Sequence, residues 1–381
     1  MDNKIFSKTV SLYSLAKWTN GLAYKDFHFS TTGVPIIKIA ELKNGITSQT
    51  QFTNDIFDES VKLNYDDLLF SWSGNPDTSI DVFRYRRNDG WLNQHIFKVV
   101  PNGVSKDYLF YLLKSLQPTF AFIASNKQTT GLGHVTIADL KRLNVYVHSL
   151  KEQQHIVDIL GSIDEKIENN EILIQKIEEK VLLEYDRINT FEPLSEIVMS
   201  DCFDITIGKT PPRNESHWFT KNSTDVKWLS ISDLGKSSVF CFDTSERITP
   251  EGISKYNVKV VPKNTVVLSF KLTVGKVAIT GCDMATNEAI AHFNSSNHCL
   301  LEYLYCYLKR YNFDTLGNTS SIATAVNSKT IKAMHFFIPD NTVLENFHHK
   351  TLPLFENIRQ LLIENQKLNE LKQLYLKKFF G

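Results

Sequence analysis

The sequence has few of the features that mark a secreted, membrane-spanning or disulfide-stabilised protein. Its five cysteines all lie in the second half of the 381-residue chain, and none forms a CxxC pair. An odd number without metal-ligand spacing indicates reduced thiols and excludes a disulfide framework or a typical zinc site. No apolar run approaches the roughly 18 residues of a membrane span, and the first residues lack the apolar core of a signal peptide. We therefore expect a cytoplasmic protein with no membrane partner.

Net charge is also lacking, because 42 Lys and Arg balance 42 Asp and Glu. This balance gives no general support for nucleic-acid binding. The distribution is uneven: residues 1–150 carry 16 basic against 13 acidic side chains, whereas residues 151–190 carry 5 against 10. The acidic segment indicates either the solvated face of a helix or a surface for a protein partner.

Catalytic signatures are missing as well. The chain contains no GxxxxGK[ST] phosphate loop, HExxH zinc helix or GxSxG nucleophile turn. The nearest approach to the Asn-Pro-Pro-aromatic motif of DNA amino-methyltransferases, at residues 73–77, lacks the second proline and the aromatic residue. The eleven histidines show no metal-ligand spacing, so we expect them on the surface or in the core. We expect no catalytic residue, metal or cofactor, although a nuclease or a self-contained methyltransferase remains an alternative.

Residues 151–187 show an uninterrupted helical pattern with a heptad seam. Its apolar positions are spaced by 4, 3, 4, 7, 3 and 4 residues, and an asparagine fills the gap of seven: Ile156, Leu160, Ile163, Ile167, Asn170, Ile174, Ile177 and Val181. A second seam runs through residues 343–380: Phe347, Leu354, Ile358, Leu361, Asn365, Leu368 and Leu371. We expect the two helices to pack antiparallel. Asn170 and Asn365 either fix the register, facing each other, or cap local breaks.

The two blocks that precede these helices repeat each other at an offset near 190 residues. In order, residues 36–42 match 228–234, 69–72 match 267–270, 93–96 match 287–290 and 107–111 match 302–306. Ordered matches that end in matching heptad helices argue for an internal duplication. The predicted fold class is α+β, with two similar mixed α/β domains separated by two long antiparallel coiled-coil helices. The expected boundaries are 1–150, 151–190, 191–340 and 341–381.

Polar, loop-like clusters occur in both blocks. They lie at residues 84–88 and 125–131 in the first block, and at residues 208–214, 269–273 and 317–321 in the second. Their Lys and Arg side chains suit phosphates, and their Asn, Gln, Ser and Thr side chains suit base edges. Taken alone, each cluster is more typical of an ordinary solvated loop. Their recurrence in two blocks favours a two-part DNA site.

Several passages resemble the specificity subunits of type I restriction–modification systems. They are WTNGLAYKDF from residue 18, SWSGNPDTSIDVFRYRRNDGWLNQHIFKVV from residue 71, HVTIADLKRLNVYVHSLKEQQHIVDIL from residue 134, GKTPPRNESHWFTKNSTDVKWLSISDL from residue 208 and LLIENQKLNELKQLYLKKFF from residue 361. The chain departs from the family where residues 148–150 replace a proline-rich end before the first helix, and where residues 340–342 precede the second.

The resemblance implies two target-recognition domains, each reading one half of a split double-stranded DNA sequence. It also implies two DNA methyltransferase (modification) subunits bound to the helices, and restriction (translocase/endonuclease) subunits that join them. On this interpretation the chain is not an enzyme, because catalysis belongs to its partners. The main alternative is a coiled-coil interaction scaffold without DNA recognition.

The candidate DNA-contacting residues combine the polar clusters with the passages that carry the resemblance. They are Lys25, Lys38, Ser73, Asn75, Arg84, Arg86, Arg87, Asn93, Gln94, Asn126, Lys127, Gln128 and Thr129 in the first block, and Lys209, Thr210, Arg213, Ser230, Ser232, Lys271, Thr273, Lys276, Asn287, Asn318, Thr319 and Ser320 in the second.

Overall fold

A computed structural model describes residues 8–127, 131–271, 273–316 and 326–381. The chain divides into two compact units, one formed by Met1–Lys166 with Lys367–Gly381 and the other by Ile167–Gln366. Each unit contains one mixed α/β domain and a segment of each of two long helices. This composition confirms the predicted α+β fold class.

The first domain is built on a four-stranded antiparallel sheet. Its strands lie in the order Ala16–Asn20, Ile96–Pro101, Leu68–Ser71 and Asp81–Arg84. A smaller sheet has the order Phe52–Thr53, Val34–Ile37, Gly90–Leu92 and Lys62–Leu63, and its central pair is parallel. Two further antiparallel pairs are Lys8–Ser11 with Asn144–Val147 and Ser73–Gly74 with Gly133–His134. The α-helices are Ile39–Asn44, Lys106–Ser115, Gln117–Ser125 and Ile137–Arg142.

The helix Lys106–Ser115 shows how local sequence forms the core of this domain. Ser105 caps it by accepting a hydrogen bond of 3.1 Å from the backbone N–H of Tyr108. Every side chain from residue 108 to residue 113 is buried, which places the helix inside the main hydrophobic cluster with strand Leu68–Ser71.

The second domain repeats the arrangement. Its main sheet has the order Asp204–Ile207, Ile290–Asn294, Val266–Ser269, Val277–Thr280 and Phe240–Cys241. Its smaller sheet has the order Phe219–Thr220, Glu246–Ile248, Val226–Leu229, Met284–Thr286 and Val260–Val261. Strands Ser195–Val198 and His335–Ile338 form a separate antiparallel pair. The α-helices are Met199–Cys202, Ile231–Lys236, Pro250–Tyr256, Leu300–Arg310 and Ser328–Lys332.

Each unit also contains part of two long helices, Leu150–Phe191 and Asn341–Phe380, which we call the first and second long helix. At 1.5 Å per residue, the 42 residues of the first long helix span about 63 Å. Most predicted seam positions are buried, whereas Ile167, Leu354 and Leu368 are half-buried. Leu371 is 40% exposed, whereas Leu376 is buried. The predicted seam therefore does not continue through Leu371.

The two long helices run antiparallel within each unit. In the second unit, Asn170 Nδ2 donates a hydrogen bond of 2.8 Å to Asn365 Oδ1 and another of 2.8 Å to Glu364, and Lys350 pairs with Glu184 at 2.6 Å. In the first unit, Lys372 pairs with Asp164. The side chains of Asn170 and Asn365 are buried, so their hydrogen bond fixes one register in an otherwise apolar seam.

Replacing Asn170 and Asn365 together by leucine is expected to stabilise the chain, because two buried amides give way to apolar contacts. The single change Asn170→Leu removes a donor from Asn365 and Glu364, and is expected to cost about 1–3 kcal/mol. Urea unfolding of the two single variants and the double variant measures both effects. Additivity of the single changes to within about 0.5 kcal/mol would contradict the coupling of the two amides.

Candidate nucleic-acid interface

Three chain segments of the first domain meet where strands Ala16–Asn20, Val34–Ile37 and Gly90–Leu92 end. The backbone N–H of Asn93 donates to the carbonyl of Ile37 at 3.1 Å, and the N–H of Leu22 donates to the carbonyl of Leu92 at 2.9 Å. We call residues 21–25, 38 and 93–94 the first junction. It gathers four of the sequence candidates: Lys25, Lys38, Asn93 and Gln94.

The second domain has the same construction. The N–H of Asn287 donates to the carbonyl of Leu229 at 3.0 Å, and the N–H of Lys209 donates to the carbonyl of Thr286 at 2.9 Å. We call residues 208–210, 230–232 and 287–288 the second junction. It gathers five candidates: Lys209, Thr210, Ser230, Ser232 and Asn287. These matching backbone bonds support the duplication inferred from the sequence.

One glycine in each junction permits the close approach of the strands. A Cβ atom on Gly21 would lie 2.2 Å from the carbonyl oxygen of Asn93, and one on Gly208 would lie 2.2 Å from the carbonyl oxygen of Asn287. Real Cβ atoms do not approach backbone this closely, so any other residue would force the segments apart. Both junctions therefore depend on glycine.

Lys38 and Ser230 occupy equivalent positions, each directly before a six-residue helix. The Ser230 hydroxyl accepts from the N–H of Asp233 at 3.0 Å and donates to its carboxylate at 2.8 Å. The Lys38 ammonium donates to the side-chain oxygen of Gln51. Both candidates thus have internal partners that hold them at their junctions.

Five basic candidates are exposed and have no ion pair within the described residues: Lys25, Arg87, Lys209, Lys271 and Lys276. Lys271 and Lys276 lie in the turn between strands Val266–Ser269 and Val277–Thr280. The uncharged candidates Asn126, Ser232 and Thr273 are exposed as well. These side chains are free to meet an anionic surface.

The three arginines of residues 84–87 are not brought to the first junction. Arg84 pairs with Leu68, the first residue of strand Leu68–Ser71. The first junction lies near the other end of this strand, where the N–H of Trp72 donates to the carbonyl of His95 at 3.1 Å. Arg84 pairs with Asp107 at 2.7 Å and with Asp66 at 3.5 Å. Arg86 also pairs with Asp66, at 3.4 Å. Arg84 and Arg86 therefore both have a carboxylate partner within the domain.

The carboxylate of Asp66 gathers these cations. Burial by itself raises the pKa of Asp66, but the hydrogen bond from Lys106 and the charges of Lys106, Arg84 and Arg86 hold that pKa below its usual value. Asp66 therefore stays ionised and keeps its pairs. Arg87 is separate from this network, and its guanidinium lies near Gly45, where helix Ile39–Asn44 ends.

Lys127 also has an internal partner, because its ammonium lies 2.6 Å from Asp139 Oδ2. Asp139 accepts a further hydrogen bond of 2.8 Å from the N–H of Thr136 at the start of helix Ile137–Arg142. Burial raises the pKa of Asp139, yet the bonds from Lys127 and Thr136 hold that pKa below the ordinary range. Lys127 thus supports a helix cap. The neighbouring candidates Gln128 and Thr129, and also Asn318, Thr319 and Ser320, lie outside the described residues.

The remaining candidates support loops. Arg213 forms two hydrogen bonds of 2.9 Å with Glu246 and lies 3.9 Å from the ring centroid of Phe219. Thr210 and Asn287 bond each other at 3.2 Å. Asn75 accepts from the N–H of Asp77 at 3.0 Å, which is a turn role. Ser73 is buried and contacts His134 at 2.9 Å. A role of these residues in binding stays a prediction.

An aromatic cluster beside the first junction was missed by the sequence reasoning. The ring centroid of Trp72 lies 5.6 Å from that of His95 and 5.9 Å from that of His134. Burial, and then the charge of His134, lower the pKa of His95. The lowered pKa favours the neutral form of His95, so this ring adds no positive charge beside the junction. No sequence spacing links residues 72, 95 and 134, so only the fold reveals this cluster.

Within the residues that the structure describes, no group of three or more His, Cys, Asp or Glu side chains is arranged to hold a metal ion. In the same part of the chain, no helix is both long and apolar enough to cross a membrane.

Residues 7–179 and 195–373 match the family described as type I restriction modification DNA specificity domain. The HindI specificity subunit of Haemophilus influenzae is 27% identical over 182 residues, which cover 47% of this chain and 39% of that protein. The MjaIX specificity subunit of Methanocaldococcus jannaschii is 25% identical over 318 residues, covering 74% and 69%. The match therefore spans well under half the length of the Haemophilus protein.

Among solved structures, the S subunit of a type I restriction–modification system from M. genitalium aligns over 100% of this chain and 98% of its own, with a TM-score of 0.54 and 15% sequence identity. At this identity the likeness concerns the fold, which the two chains share.

Proposed function

The chain belongs to the family of type I restriction–modification DNA specificity proteins, and we propose that it reads a split, asymmetric double-stranded DNA site, one half with each domain. Family membership makes DNA sequence recognition within a restriction–modification complex its general role. The observation that carries the finer proposal is the presence of two junctions with matching backbone hydrogen bonds, one in each matched segment.

Each junction combines the two kinds of group that DNA recognition needs. Exposed cations such as Lys25 and Lys209 suit phosphates, which position a protein on the duplex. The amides of Asn93 and Gln94 and the hydroxyl of Ser232 suit base edges in the major groove. We propose half-sites about one helical turn apart, roughly 34 Å, so that both domains approach the same side of the duplex.

We further propose that two methyltransferase subunits bind the long helices and supply catalysis, and that restriction subunits join this assembly. On the first long helix, Ile172 and Leu173 are 43% and 42% exposed. Glu168 and Glu171 lie close by, and burial together with the charge of Glu168 raises the pKa of Glu171. Apolar side chains beside acidic groups suit a protein partner. DNA is less suitable, because the acidic groups would repel its phosphates.

Arg87 and Lys127 are expected to behave differently when changed to alanine. Arg87 has no ion pair among the described residues, so Arg87→Ala should leave stability unchanged and reduce the salt dependence of DNA binding by about one phosphate contact. Lys127→Ala removes the partner of Asp139 and should cost about 1 kcal/mol or more of stability. Titrations at several salt concentrations and urea unfolding measure the two effects. An unchanged salt slope for Arg87→Ala would remove that residue from the interface.

A mobility shift tests the proposed function against the scaffold alternative. The chain with its methyltransferase partners should bind one duplex sequence far more tightly than an excess of unrelated DNA. A coiled-coil scaffold would assemble with the same partners and show no preference among duplexes. Methyl transfer by the isolated chain would instead support an enzyme.

A further inference from the structure

Two apolar side chains stand out from the surface beside the first junction. Ile56 and Phe27 are 88% and 75% exposed, which makes them the most exposed large apolar residues of the first domain as far as it is described. Their sequence neighbours join them, because His28 Nδ1 lies 2.9 Å from Asp55 Oδ2. Single exposed apolar residues are ordinary, but here two of them lie on chain segments that this bond joins. We call Phe27 and Ile56 the apolar tip.

The apolar tip is held by rings that lead into the core. The centroid of Phe27 lies 4.1 Å from that of His28, which lies 5.3 Å from Phe57. Phe57 in turn lies 5.3 Å from Trp91, whose side chain is buried. A series of ring contacts therefore connects Phe27 to the core, while the Phe27 ring itself stays exposed.

The apolar tip is continuous with the first junction. Tyr24 donates a hydrogen bond of 3.2 Å to the carbonyl of Leu92, the residue directly before Asn93. The ammonium of Lys25 lies 5.9 Å from the ring centroid of Phe27. A cation suited to a phosphate thus stands beside an apolar ring. In the major groove of DNA, the apolar group presented at the base edges is the C5-methyl of thymine.

We propose that Phe27, with Ile56 on the adjoining segment, contacts a thymine methyl group in the half-site that the first domain reads. This inference rests on the proposed function and assigns one base contact within it. Phe27 is then a specificity-determining residue, because cytosine, adenine and guanine present no methyl group at that place.

Among its described residues, the second domain has no equivalent of the apolar tip. Its equivalent turn is Ser216–Trp218, where the ring of His217 lies 4.1 Å from Trp218 at an interplanar angle of 49°, as Phe27 does from His28. His217 is exposed and polar, so it offers no apolar surface to a methyl group. Sensitivity to the thymine methyl should therefore be confined to one half of the DNA site.

Replacing single thymines of the DNA site by deoxyuridine tests the contact, because only the methyl group is removed. The complex of the full chain with its methyltransferase partners should lose about threefold to fivefold affinity at one thymine, the effect of one buried methyl group. Phe27→Ala should weaken binding to the thymine duplex by a similar factor and show no further loss with deoxyuridine. Phe27→Leu should retain part of the discrimination.

The control is Phe122→Ala, since Phe122 is 68% exposed on helix Gln117–Ser125 and lies on neither long helix. This variant should discriminate thymine from deoxyuridine as the unchanged chain does. A half-site without thymine overturns the inference. Full discrimination between thymine and deoxyuridine by Phe27→Ala also overturns it. An equal loss of affinity for both duplexes does so as well, because that result would indicate insertion of the Phe27 ring between base steps. Absence of specific DNA binding by the unchanged complex overturns the proposed function instead.

Discussion

Changing Gly208 to alanine is expected to abolish the reading of one half of the DNA site. The new Cβ would lie 2.1 Å from Thr286 Oγ1 and 2.2 Å from the carbonyl oxygen of Asn287. A clash with backbone has to be relieved by moving the segments apart, at about 3 kcal/mol. Because Lys209 and Asn287 are placed by those segments, specific affinity should fall about a hundredfold.

Gly235→Ala is the matched control within the same domain. No atom of the described residues lies within 4 Å of a Cβ at Gly235, which is inside helix Ile231–Lys236. Alanine is favoured over glycine in a helix by up to about 1 kcal/mol, so this variant should be at least as stable and bind DNA normally.

Gly21→Ala should damage the other half-site, because its Cβ would meet the carbonyl of Asn93. Affinities for duplexes in which one half-site at a time is randomised measure which half each variant still reads. Unchanged recognition in Gly208→Ala would show that the second junction does not read DNA.

Acidification is expected to destabilise the second domain through one buried histidine. His292 is fully buried, and its ring nitrogens contact Thr206 Oγ1 at 3.0 Å and Thr286 Oγ1 at 2.6 Å. Burial, with a smaller contribution from the charge of Lys259, lowers the pKa of His292 from 6.5 to about 4. The folded domain therefore holds this ring neutral at pH values where the unfolded chain protonates it.

The sign of the effect follows from the lowered pKa. Above pH 6.5 both states are neutral at this position and nothing is lost. As the pH falls towards 4, the His292 ring binds a proton in the unfolded state but stays neutral in the folded state. The free energy of unfolding therefore falls by about 3 kcal/mol in total. Denaturant unfolding followed by tryptophan fluorescence at pH 7 and pH 4.5 measures this loss.

His292→Gln should show a much smaller acid loss, since glutamine can accept and donate hydrogen bonds without titrating. His298→Gln is the control in the same domain, because His298 is exposed. Equal acid losses in the unchanged chain and in His292→Gln would contradict the assignment.

The coarse fold could be predicted because its signals are local or repeated. The heptad positions from Ile156 to Val181 and the ordered matches between the two blocks depend only on spacing. The prediction of the second seam was less accurate at Leu371, which is exposed, whereas Leu376 is buried. The helix Lys106–Ser115 likewise depends on local features, its apolar face and its serine cap.

The candidate interface was less predictable, because the partner of a polar side chain is set by tertiary structure. Lys127 and Asp139, or Arg213 and Glu246, are distant enough in sequence that no pattern joins them. Composition therefore selected several residues with internal roles together with exposed ones such as Lys209. The junction glycines look like ordinary turn residues until the opposing carbonyls are seen.

The most direct test is to sequence the modified bases in cells that carry this chain with its modification partners. We expect two short clusters of specified bases, separated by unspecified positions and centred about one helical turn apart, roughly 34 Å. Gly208→Ala should relax one cluster and leave the other. A single contiguous motif, or modification that does not depend on this chain, would contradict a protein that reads DNA with two domains.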